Sequence, residues 1–160
     1  MELREKPRIG VMGPGSCSPD VYALAREVGF LLARKGAVLI CGGYGGVMEA
    51  SARGAREGGG ITVGILSGES TAGANPYIDI PIVTALGSAR NNINALTSQV
   101  IIAISGSYGT LSEIALALKC GTPVVGLRTW ELVSPEGEAL PIVPAKTAEE
   151  AVNAALSLCL

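Results

Sequence analysis

Val100-Ile101-Ile102-Ala103-Ile104, running into Ser105-Gly106-Ser107-Tyr108-Gly109-Thr110-Leu111-Ser112-Glu113, is the stretch whose reading settles the architecture. Five apolar residues without polar alternation describe a strand buried on both faces, as in a parallel sheet covered by helices. The glycines break the strand, and Leu111–Lys119 continues with helical periodicity. A strand that passes through a glycine turn into a helix is the first half of a β-α-β unit.

The same grammar occurs twice upstream. Ile9–Met12 leads into Gly13-Pro14-Gly15-Ser16, and Ala37–Cys41 leads into Gly42-Gly43-Tyr44-Gly45-Gly46. Ile61–Leu66, Ile78–Val83 and Pro123–Leu127 read as further strands. The first helix is the clearest. Ser18 suits the N-cap, Pro19 the first helical position and Asp20 the positive end of the helix dipole. Val21, Leu24, Ala25, Val28, Leu31 and Leu32 then form one apolar stripe, which Gly36 closes. Helices are also expected at Val47–Glu57, Ala89–Ser98, Leu111–Lys119 and Ala148–Leu158. The alternation predicts a doubly wound, mostly parallel Rossmann-like α/β sheet with helices on both faces, formed by residues 1–160 as one domain. Residues 67–77 form one long polar loop, and 128–146 read as irregular.

Composition narrows the chemistry. The 160 residues include 22 Gly, 4 Cys and no His. Without histidine, Ser-His-Asp and Cys-His catalysis, His-based zinc sites and an imidazole pH switch are closed to this chain. The cysteines stand singly at 17, 41, 120 and 159, which reads as free thiols of a cytoplasmic protein with no metal site. A net charge of −2 argues against nucleic acid as a partner. No apolar run approaches the ~20 residues of a membrane span, and the N-terminal apolar stretch is too short for a leader. The apolar share of 48% is therefore placed in strands or in a subunit contact, with faces such as Ala115–Leu118 as candidates.

In open parallel sheets, ligands bind beyond the carboxyl ends of the strands. Three glycine clusters occupy such ends, each followed by a helix whose first N–H groups can receive an anion. Gly13, Gly15, Ser16, Gly42, Gly43, Gly45, Gly46, Gly106, Ser107, Tyr108, Gly109 and Thr110 are thus candidates to hold a phosphate. The dinucleotide fingerprint fails, because the first loop lacks its third glycine and the second strand ends in Cys41 rather than an acid. A Walker A loop fails too, since no Gly-Lys pair exists. Arg90 opens a helix, against the helix dipole, so it is expected to serve an anion, with Asn91 beside it. Thr110 and Glu113 have the spacing of a capping box, and a carboxylate there can equally be catalytic. Both readings stand.

These residues carry a resemblance. Arg90, followed at fixed distance by Gly106–Glu113, resembles the Lonely Guy phosphoribohydrolases (once labelled lysine decarboxylases), whose signature is an arginine segment and PGGxGTxxE. Gly42–Met48 is similar to their second-strand loop. The resemblance implies a Rossmann-like homo-oligomer, dimer or tetramer, that binds a nucleoside 5′-monophosphate. It also implies cleavage to base and ribose 5-phosphate, with Glu113 and Arg90 as the catalytic pair. Asp20, Glu49, Tyr108 or water would then supply a proton. The sequence departs from the signature at Ser105, where the hydrolases have Pro, and at Ser107, where they have Gly. Arg90-Asn91 with Gly-Thr-Leu-Ser-Glu is more similar to a sister group that includes the molybdenum cofactor carrier protein of an alga. That resemblance implies a non-catalytic carrier or sensor of a phosphorylated cofactor, with molybdenum cofactor as cargo and no other cofactor required.

Overall fold

The apolar runs hydrogen-bond side by side because none can satisfy its backbone alone. The computed structural model describes residues 2–159. Seven parallel strands form one sheet: β1 (Arg8–Met12), β2 (Val38–Cys41), β3 (Ile61–Leu66), β4 (Ile80–Val83), β5 (Val100–Ile104), β6 (Val124–Leu127) and β7 (Ile142–Ala145). Their order is β4-β3-β2-β1-β5-β6-β7, with registers such as Gly10 opposite Ile101 and Ile40 opposite Val63. This is a Rossmann-like α/β fold with every strand parallel.

Helices α1 (Pro19–Arg34), α2 (Val47–Glu57) and α5 (Ala148–Ser157) pack with Ile9, Val11, Leu39, Ile102 and Val125 on one face. Helices α3 (Arg90–Thr97) and α4 (Tyr108–Cys120) cover the other, over Met12, Ile101 and Val124. Ile114 and Ala117 of α4 are fully buried there, so part of the stripe considered for a subunit contact packs on the chain's own sheet. Helix α1 starts as its sequence demands. Ser18 Oγ accepts the Val21 N–H at 3.3 Å, and Gly36 turns the chain at φ +82°. Helices α1 and α2 pack closely enough that Gly29 and Gly54 face backbone. A Cβ on Gly54 would run into the carbonyl oxygen of Arg26, and one on Gly29 into that of Ser51.

The structure corrects three local expectations. Residues 128–146 are not wholly irregular, because Ile142–Ala145 adds β7 to the sheet edge. That strand is short and contains Pro144, which an edge tolerates and which hides the strand from a pattern search. Strand β4 begins at Ile80 rather than Ile78, since Thr62 Oγ1 donates to the Tyr77 carbonyl and Asp79 bonds Thr62 before pairing begins. Helix α4 begins at Tyr108, three residues before the apolar period. Ser107 is its N-cap, accepting the Thr110 N–H at 3.3 Å, so Thr110 and Glu113 form no capping box. Among the described residues, no helix is long and apolar enough to cross a membrane.

Candidate functional site

Strand order reverses between β1 and β5, where α1 leaves to one face and α4 to the other. Such a switch point opens a crevice at the carboxyl edge of the sheet. The loops after β1, β2 and β5, which carry the three glycine clusters, all come to this edge. The fourth cluster lies elsewhere: Gly58 caps the end of α2 and Gly59 follows at φ +79°.

Packing within the chain already accounts for most of the site glycines. A Cβ on Gly13 would stand 2.6 Å from Val47 Cγ1 and 2.7 Å from the Ile104 oxygen. At Gly46, with φ +60°, it would meet the Gly15 carbonyl carbon at 2.6 Å. At Gly42 it would strike the Arg90 guanidinium, and at Gly43 the Leu66 side chain. On Gly45 it would sit 3.0 Å from the Gly15 oxygen. Gly45 and Gly46 let the β2 loop close on the β1 loop, and Gly13, Gly42 and Gly43 make room for Val47, Arg90 and Leu66. Gly15 and Gly109 differ. The nearest atoms to their added Cβ lie at 3.7 and 3.6 Å, and both residues are exposed, as is Ser16. Backbone open to a ligand is therefore found at Gly15-Ser16 and Gly109. Helix α2 has no side-chain cap on its first turn; its Val47 N–H donates to the Pro14 carbonyl at 3.0 Å, which ties this helix end to the β1 loop.

Arg90 reaches from the start of α3 to the ends of two strands. Its Nη1 donates to the carbonyls of Gly42 and Ile65, each at 2.7 Å. The guanidinium also lies over the Tyr44 ring, 5.7 Å from its centroid. Its Nε is buried without a partner. Arg90 thus braces β2 and β3, a role that sequence reading missed because its acceptors are backbone atoms. Tyr44 extends the brace. Its hydroxyl accepts the Gly68 N–H at 3.0 Å, and its carbonyl accepts Asn75 Nδ2 at 2.8 Å, pinning the 67–77 loop to the β2 loop. Hydrogen bonding from Ser67, foremost, holds the Tyr44 hydroxyl below its ordinary pKa.

Glu113 sits in the second turn of α4, only 7% exposed. Asn94 Nδ2 donates to its Oε1 at 3.1 Å, while the Asn94 Oδ1 is buried and unpartnered. Burial pushes the Glu113 carboxyl up to about 7, against the opposing pull of the Asn94 hydrogen bond and the Arg90 charge. Arg90 and Glu113 are close enough to sense each other yet are not among the ion pairs of the described residues. Asn91 is one turn from Asn94 and donates to Ser112 Oγ at 2.9 Å, which in turn donates to the Gly109 carbonyl at 2.7 Å. The two asparagines stitch α3 to α4. Cys41, behind this group, is fully buried and its thiol is pushed to about 12 by that burial. Of the proposed proton donors, Asp20 is exposed, Glu49 accepts a hydrogen bond from the Tyr22 hydroxyl at 3.3 Å, and Tyr108 is exposed at the first position of α4.

The β5 loop is shaped by a residue that the sequence did not single out. Trp130 Nε1 donates to the Ser107 carbonyl at 3.2 Å, and Thr129 Oγ1 donates to the Ser105 carbonyl at 2.5 Å. The Trp130 ring takes the space that a Cβ on Gly106 would fill. It stacks with Tyr108, which is 84% exposed, at a centroid distance of 6.4 Å and 21° between planes. Ser105 holds φ +58°, a backbone that proline cannot adopt. Ala85 and Arg128, just past β4 and β6, also hold positive φ, so all three such non-glycine residues among the described ones lie at the carboxyl edge of the sheet. Strain of this kind gathers at functional edges. Among the described residues, no group of three or more His, Cys, Asp or Glu is placed to hold a metal.

The sequence profile of the SLOG cluster4 family matches residues 6–154. An uncharacterised protein of Archaeoglobus fulgidus is 45% identical over 150 residues, 94% of this chain and 95% of its own. Two solved structures superpose over nearly the whole length. The molybdenum cofactor binding protein of the phototrophic bacterium Rippkaea orientalis has a TM-score of 0.89 and 42% identity, covering 98% of this chain and 99% of that one. The molybdenum cofactor carrier protein of Chlamydomonas reinhardtii has a TM-score of 0.84 and 40% identity, covering 96% and 98%. The sister group to which the loop residues pointed is thus the one these relatives represent.

Proposed function

The chain belongs to the SLOG cluster4 family, and from that premise we propose that it binds and carries a phosphorylated cofactor of the molybdenum cofactor class without cleaving it. The observation that carries this reading is the 40–42% identity, sustained over nearly full length, with two proteins described as binding or carrying that cofactor. The site supports it. Exposed backbone at Gly15-Ser16 and Gly109, with the first turns of α2 and α4, offers N–H groups and dipoles to a phosphate. Such groups bind an anion without themselves supplying an acid, a base or a nucleophile.

A second reading, hydrolysis of a nucleoside 5′-monophosphate, draws on one observation. A carboxyl near 7 is poised for acid–base work at neutral pH. Three features weigh against it. Glu113 is almost wholly enclosed and bonded to Asn94, the Arg90 Nη1 is spent on two carbonyls, and Ser105 holds a backbone closed to the proline of the hydrolase signature. The deciding experiment incubates the protein with AMP and measures free adenine, with Glu113→Gln as control. The carrier reading predicts no release by either. Release by the wild type that disappears in the variant would overturn it.

The chain is also proposed to act as a homo-oligomer. The edge strand β4 leaves Ile80, Ile82 and Val83 exposed at 45, 43 and 42%, surface that a second copy would cover. Light scattering that returned a monomer mass at micromolar concentration would refute this.

A further inference from the structure

The segment 128–142 does more than connect β6 to β7. It folds back on itself, with Val133 bridging Ala139 and the Leu140 N–H bonding the Leu132 carbonyl at 2.9 Å. Beneath it lies a cavity of about 370 Å³, walled by Trp130, Leu132, Leu140 and Ile142, with Arg128 and Thr129 contributing polar groups. Predominantly apolar and aromatic walls with a few polar groups, at this volume, are what a small organic ligand requires.

The cavity shares its wall with the candidate phosphate site. Trp130 lines the cavity and also bonds the Ser107 carbonyl. Thr129 lines it and bonds the Ser105 carbonyl. One molecule can therefore touch both, with its charged end at the glycine loop and its body against Trp130. Tyr108, nearly parallel to Trp130 and largely in solvent, extends the aromatic surface towards that loop. Aromatic faces of this kind favour flat π-systems over saturated sugars.

We propose that the cavity behind Trp130 receives the planar fused-ring heteroaromatic part of the ligand, a purine or a pterin, while the glycine loops hold its phosphate. The proposal rests on the carrier reading for the phosphate end alone. Specificity for the ring lies in residues 128–142, which stand outside the glycine motifs in the sequence and buttress the one after β5.

Trp130 is the sole tryptophan of the chain, so intrinsic indole emission reports on this cavity directly. The full-length protein is titrated with AMP, with 6-hydroxymethylpterin and with ribose 5-phosphate. A saturable change in Trp130 emission with AMP assigns a purine, and one with the pterin assigns a pterin. Ribose 5-phosphate, which has no ring system to insert, leaves the emission unchanged. Ala139→Phe and Val133→Phe, at exposed positions lining the cavity, weaken the ring-bearing probe at least tenfold without moving the melting temperature. Silence with both ring-bearing probes, an equal response to ribose 5-phosphate, or full affinity in both variants overturns the proposal. Its failure is separable from failure of the carrier reading. Equal retention of molybdenum cofactor by wild type and Ala139→Phe would sink the ring pocket alone. A Trp130 response without any retention of that cofactor would sink the carrier alone.

Discussion

Replacing Glu113 with Gln should stabilise this protein increasingly as pH rises from about 4.5, and fully above about 7. In the fold the carboxyl is pushed from its ordinary 4.5 up to about 7, chiefly by burial. Its neutral form is therefore favoured in the native state relative to the unfolded chain. Below pH 4.5 both states hold the proton, and Glu113 costs nothing. As pH rises towards 7 the unfolded chain ionises first, and stability falls. Above 7 the full penalty applies. A gap of that size, at about 1.4 kcal/mol per tenfold change in proton affinity, amounts to about 3 kcal/mol. Gln has the same shape, keeps an oxygen for Asn94 Nδ2, and adds an N–H donor beside the unpartnered Asn94 Oδ1. For a domain of this size, about 3 kcal/mol corresponds to roughly 6–12 °C in melting temperature. Thermal unfolding at pH 4.5 and pH 8.5 is the assay. The two proteins should melt together at the lower pH, and the variant should melt higher at the upper one. A difference independent of pH, or a variant that melts lower at pH 8.5, would refute the enclosed, proton-holding Glu113 described above.

Three further outcomes follow from single contacts. Arg90→Ala leaves the Gly42 and Ile65 carbonyls without their charged donor, and should cost roughly 3–6 kcal/mol in urea unfolding, at about 1.5–3 kcal/mol per bond. An unchanged midpoint would return Arg90 to a purely ligand-facing role. Ser107→Ala should cost about 1 kcal/mol by removing the N-cap of α4, and no loss would mean that the helix starts elsewhere. Gly54→Ala lies in mid-helix, where such a change ordinarily gains about 1 kcal/mol. Here the new methyl meets the Arg26 carbonyl, so a loss of about 1–3 kcal/mol is expected, and a gain would contradict the close crossing of α1 and α2.

What could be read from the sequence was whatever is decided locally. Ser18-Pro19 and Gly36 bound α1 because capping and left-handed turns are properties of a few adjacent residues. Val47–Glu57 matches α2 at both ends for the same reason. The three glycine loops came to one edge because parallel strands, once recognised, leave no other arrangement for their carboxyl ends. What escaped was set by distant partners. Arg90 reads locally as an anion ligand, while the carbonyls that its Nη1 meets lie 48 and 25 residues away, on backbone that carries no sequence mark. The glycines read locally as room for a phosphate, and Gly13, Gly42 and Gly106 also make room for Val47, Arg90 and Trp130. Glu113 was weighed as a cap because the Thr110 spacing fits, but Ser107, in extended backbone three residues earlier, captures the Thr110 N–H first. The 128–146 stretch offered one signal, the lone tryptophan, and that residue turns out to wall both the glycine loop and the cavity.

The central claim is that this chain holds a phosphorylated cofactor and returns it whole. Purified protein is mixed with molybdenum cofactor freshly released from a molybdoenzyme, passed through a gel-filtration column, and assayed for molybdenum and for intact cofactor in the protein peak. Molybdenum is expected to co-elute in fixed proportion to protein, with the cofactor still able to reactivate an apo-molybdoenzyme after hours of incubation. Molybdenum eluting only with the small molecules, or a co-eluting cofactor that has lost its phosphate or its activity, would contradict it.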